Sequence, residues 1–113
     1  MGAWSLEYRS IGYSTSLDAL VRALCQDYGR REGAISDGCV GKRTRMEYIY
    51  INGKILEAAR ELAEEGLAQI YIKEIGEKCG YAYSEIPCAS ERIYKQRKQE
   101  IKLNIARKLH LLD

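Results

Sequence analysis

Residues 44 to 66 carry the pattern that most limits how this chain can fold. Tyr48, Ile51, Ile55, Ala58 and Leu62 recur at three- and four-residue spacing, flanked by Ile49, Asn52, Leu56, Ala59 and Ala63. Lys54, Glu57, Arg60, Glu61 and Glu64 fall on the opposite side. This is the period of an amphipathic helix, not of a strand. Thr44 and Glu47 have capping-box spacing at its start, and Gly66 suits a C-cap at its end. The apolar stripe is wider than one short helix can cover, so the C-terminal residues or a second chain must cover the rest. Monomers seldom leave large apolar patches in water. The expectation is therefore a two-fold homodimer, with Tyr48, Ile51, Ile55, Leu56 and Leu62 at or near its interface.

The remaining segments read as helices too. Leu17, Leu20, Val21, Leu24, Tyr28 and Ile35 share one face of a first helix, whose start is marked by Thr15 and Asp18. The Gly- and Asp-rich stretch "SDGCVGKR" (36–43) is turn chemistry, so the first two helices form an antiparallel hairpin. A shorter helix runs from residue 67 or 68 to Cys79 and stops at Gly80, and Pro87 forbids a helix through "YAYSEIPCA". A last helix opens at Ser90 and runs to about Leu109. The fold class is all-α. Residues 1–14 are an irregular arm, 15–66 the hairpin, used for dimerisation or partner binding, and 67–113 a helix-turn-helix-like module.

At 113 residues, with 46% apolar and 30% charged side chains, the chain is long enough to form one core without metal or disulfides. Cys25, Cys39, Cys79 and Cys88 are 14, 40 and 9 positions apart, with no CxxC pair and a single histidine, His110. That spacing suits neither a zinc site nor a disulfide framework, and no metal or cofactor is expected. Residues 1–10 lack the apolar core of a signal peptide, and no window is long enough to span a bilayer. A cytoplasmic protein away from membranes is expected. No nucleophile triad or phosphate loop is present. Glu64, Glu65, Glu74 and Glu77 read as solubilising charge on exposed faces, so an enzyme is not expected.

Charge is uneven. Residues 91–113 hold seven Lys and Arg against three acidic residues, whereas 1–90 hold eleven against thirteen. In "SERIYKQRKQEIKLNIARKL" (90–109), Ile101, Ile105 and Leu109 form a solid apolar face only in the second half. Arg92, Lys95, Gln99 and Lys102 share the other side, with Gln96 and Lys98 at its flanks. A helix docked by its second half and projecting a basic first half has the layout of a recognition helix. Arg and Lys suit phosphates and guanine edges, and Gln96 and Gln99 suit adenine. A solvated amphipathic helix would carry the same pattern.

Residues 70–112 resemble the C-terminal helix-turn-helix of small phage and prophage transcriptional regulators, the ArpU-like and RinA-like families, which in turn resemble region four of sigma factors. The similar features are "IGEKCG" closing a short helix, Ser-Glu-Arg opening the next, then "IYKQRK" and "EIKLNIARKL". Upstream, "LCQDYGRREGAI" and "EYIYINGKILEAARE" resemble the helical hairpin of related prophage proteins. The resemblance implies duplex DNA as partner and a DNA-binding role for Ser90, Arg92, Tyr94, Lys95, Arg97 and Lys98. One departure stands out. Nine residues separate Gly80 from Ser90, where a helix-turn-helix has three or four. The alternative is a helical phage assembly component, for DNA packaging or the virion, acting through protein contacts. A third reading is an adaptor that holds RNA polymerase through the hairpin.

Overall fold

The computed structural model describes residues 13–88 and 90–112. Within them the chain forms five α-helices and no strand: α1 (Thr15–Gln26), α2 (Tyr28–Asp37), α3 (Lys42–Arg60), α4 (Ala68–Glu77) and α5 (Glu91–Lys108). One 3₁₀ turn, Tyr81–Tyr83, lies between the last two. The all-α expectation is met. Of the arm expected over 1–14, residues 1–12 lie outside the described residues; Tyr13 is buried in the core.

α1 begins at Thr15 as expected, but Ser14 is its cap: its Oγ accepts the Leu17 N–H at 3.1 Å. The face expected to run on to Ile35 breaks at Asp27, and the two halves have different neighbours. α1 packs chiefly on α4 and also on α5, while α2 lies antiparallel on α3. The hairpin is thus α2 with α3. Its centre is polar: Asn52 donates to the Tyr28 carbonyl (3.1 Å) and to Glu32 (2.9 Å), and accepts from the buried Arg31 (2.6 Å). A second Arg31 donor reaches the Leu24 carbonyl, so one guanidinium joins α1, α2 and α3.

α3 starts at Lys42 behind Gly41 with no side-chain cap, and ends at Arg60 rather than near Gly66. Thr44 and Glu47 sit inside the helix. Gly66 instead turns the following loop, where its φ of +83° is a backbone state that side chains resist.

The wide stripe of α3 is covered from within the chain. Ile55, Ala58 and Ala59 are fully buried, and Ile51, Leu56 and Leu62 pack against the same core. Tyr48 is half-buried, with the Arg30 guanidinium 6.0 Å from its ring centre. α2, α4 and α5 share the covering, and α5 runs antiparallel to α3. Arg97 donates to the Leu62 carbonyl at 3.0 Å, Asn104 to the Ala58 carbonyl at 3.1 Å, and Lys108 pairs with Glu57 and with Glu61, the residue just past the end of α3. Of the expected interface of Tyr48, Ile51, Ile55, Leu56 and Leu62, Ile55 is corrected, having no surface to offer a partner; Ile51, Leu56 and Leu62 are partly buried against the chain's own core.

α5 leans mainly on α3 and α1, and less on α4. Beside the long connection from residue 78 to 90, this differs from the compact helix pair that a helix-turn-helix places on DNA.

Candidate nucleic-acid interface

Ser90 caps α5 as expected, its Oγ accepting the Ile93 N–H at 3.2 Å. Its neighbour across the first turns is Glu74 of α4, only 3% exposed. Glu74 accepts from the Tyr94 hydroxyl at 2.7 Å, the Ser84 hydroxyl at 2.6 Å and the Glu85 N–H at 2.8 Å. One carboxylate thereby ties α4, the connecting loop and α5 together. Burial alone would raise its pKa; the three donors outweigh that and hold the carboxyl below its usual range. The reading of Glu74 as exposed solubilising charge is corrected accordingly.

Tyr94, expected to face DNA, is fully buried. Its ring lies 6.4 Å from that of Tyr71 and 5.8 Å from that of Tyr81, and burial pushes its phenol well above the ordinary value. Lys98 is half-buried. Its Nζ donates to the Cys79 carbonyl at 2.7 Å and lies 4.7 Å from the centre of the Tyr94 ring. Burial, with Lys102 nearby, lowers its pKa. Arg97 is held by the Leu62 carbonyl and Glu64. Lys102, placed on the basic face by the helical wheel, is 5% exposed and pairs with Asp18 of α1 at 2.8 Å. Asp18 also accepts from Tyr13 (2.8 Å) and Arg22 (3.1 Å). Gln99 is half-buried, with its Oε1 enclosed and without a hydrogen-bond partner among the described residues. Four of the residues expected at DNA (Tyr94, Arg97, Lys98 and Lys102) thus have their polar atoms engaged in holding α5 in place.

Arg92, Lys95 and Gln96 are different. All three are exposed, on one face of the first two turns, and Lys95 makes only a loose pair with Glu91 at 3.4 Å. The site that remains is small: two cations and an amide on a capped helix start, where the helix dipole favours anions. A second basic surface went unnoticed in the sequence. Lys42, Arg43 and Arg45 crowd the first turn of α3 and are exposed. Their signal was the density of cations in "GKRTR". Because α5 starts beside Leu62 and Glu64, these two basic regions sit at opposite ends of α3.

The four cysteines are free thiols: Cys25 is buried, Cys39 exposed and the other two half-buried. Burial pushes the Cys25 thiol up to about 12. No helix among the described residues is long and apolar enough to cross a membrane. In comparisons with protein families, characterised proteins and solved structures, nothing matches this chain.

Proposed function

We propose that the chain binds duplex DNA through the first turns of α5, as a homodimeric transcriptional regulator of a phage or mobile element. The observation that carries this reading is the division of labour along α5. Tyr94 and Lys98 lock the helix to α4 and its loop, so that Arg92, Lys95 and Gln96 project from a rigid, capped start. Such positioning is what base and phosphate contacts need. With two phosphate-reaching cations per chain, the log of affinity should fall with log salt at a slope near −1.8, or about −3.6 for a dimer. Fluorescence anisotropy of labelled duplex at several salt concentrations measures it. Absence of saturable binding at moderate salt would end the reading.

One observation favours the alternative of a helical assembly component acting through protein contacts. Met46, Ile49 and Tyr50 are exposed on the outer face of α3. An RNA polymerase adaptor would use the α2–α3 hairpin in the same way.

A further inference from the structure

The outer face of α3 has an order of its own. Lys42, Met46, Ile49, Tyr50, Gly53 and Glu57 follow one another at three- and four-residue steps, or sit side by side, and so share one stripe. All six are exposed, Met46 at 62%, Ile49 at 45% and Tyr50 at 50%. A groove of about 700 Å³ runs beside them, lined by Lys42, Arg43, Met46, Glu47, Tyr50 and Ile51. Gly53 is the odd member. Glycine is among the poorest helix formers, yet it stands in the interior of a 19-residue helix. Among the described residues a Cβ at this position would meet nothing within 4 Å, so their packing does not call for it.

We propose that this stripe is the contact between two copies of the chain, with α3 crossing the partner's α3 antiparallel about a two-fold axis between Ile49 and Tyr50. The inference deepens the homodimer of the proposed function and moves it to a face other than the covered apolar stripe. A single register satisfies every residue of the stripe. Around that axis Ile49 and Tyr50 of one copy meet Tyr50 and Ile49 of the other. Met46 lies over the partner's Gly53, where the missing side chain makes room for it. Lys42 comes opposite the partner's Glu57, closing the apolar centre with opposite charges at both ends. A parallel pair would instead set Lys42 and Arg43 against themselves. The face is thus self-complementary under a two-fold, as an isologous contact must be. One helical stripe per copy is a small interface, so association belongs in the micromolar range.

Sedimentation equilibrium of the full chain from low to high micromolar concentration tests this. The mass should climb from 12.9 kDa towards twice that value. Gly53→Leu and Met46→Glu should each remain at the chain mass with helix content kept and the thermal midpoint not lowered, because neither position is needed inside the chain. Lys42→Glu should weaken association. A wild-type chain that stays monomeric, or a dimer indifferent to Gly53→Leu and Met46→Glu, overturns the proposal. So does a monomer whose Trp4 emission shifts on Met46→Glu, which would assign the face to the chain's own first residues. Duplex binding measured on the same samples keeps the two proposals apart. A dimer that ignores DNA sinks only the DNA reading, and a DNA-binding monomer sinks only the homodimer, here and in the proposed function.

Discussion

Glu74 and Asp18 play the same part at two places: each is a shielded carboxylate that gathers donors from distant segments. Burial would raise both pKa values. At Asp18 the bond and charge of Lys102, then Tyr13 and Arg22, outweigh it; at Glu74 the hydroxyls and the Glu85 N–H do. Both folded values lie below the unfolded ones, near about 4. Their stabilisation is therefore complete above that range and is lost as pH falls through the folded values. Tyr13, Tyr71 and Tyr94 work in the other direction, since burial raises their phenols. Above about 10 the unfolded chain ionises first, and stability falls again. Thermal midpoints across pH should show a plateau with a loss on either side. Glu74→Gln should lower that plateau by about 1–3 kcal/mol and soften the acid limb. An acid limb unchanged in Glu74→Gln would contradict the assignment. Ser90 could be read from the sequence because its partner is three residues away. Glu74 and Lys102 could not, because burial by partners from other helices is invisible to a helical wheel.

At the scale of the helix, the sharpest constraint is Gly76. A Cβ there would lie 2.7 Å from the backbone N and Cα of Gln26 and 3.0 Å from the carbonyl carbon of Cys25, so α4 and α1 touch backbone to backbone. Backbone cannot swing aside as a side chain does. Gly76→Ala should cost about 1–3 kcal/mol, whereas Gly53→Ala in dilute solution should gain roughly 0.5–1 kcal/mol. Denaturant midpoints of the two variants check the contrast, and equal effects would contradict it. Helix existence was legible throughout from the three- and four-residue period. Helix ends were less so. Thr44 and Glu47 match a capping box by spacing alone, yet α3 is already under way at Lys42. The break at Asp27 has no proline, and it becomes sensible only when α1 and α2 are seen on different neighbours.

In the whole molecule α5 is the member on which the others close. Its second half supplies Ile101, Ile105 and Ala106 to the core, and its polar groups reach α1, α3 and the α4–α5 loop. The C-terminal excess of positive charge is therefore only partly an outward signal, since Lys98, Lys102 and Lys108 spend their charge inside the chain or along α3. Arg92 and Lys95 at the start of α5 and the exposed Arg107 near its end remain for a polyanion, while the Lys42–Arg45 turn offers a rival surface at the other end of α3. Backbone amide shifts of isotope-labelled protein titrated with duplex DNA decide between them. Saturable shifts should centre on residues 91–96, weaken with salt and vanish in Arg92→Ala with Lys95→Ala, whose thermal midpoint stays that of the parent. Shifts centred on residues 42–45, or none that saturate, would contradict binding through α5.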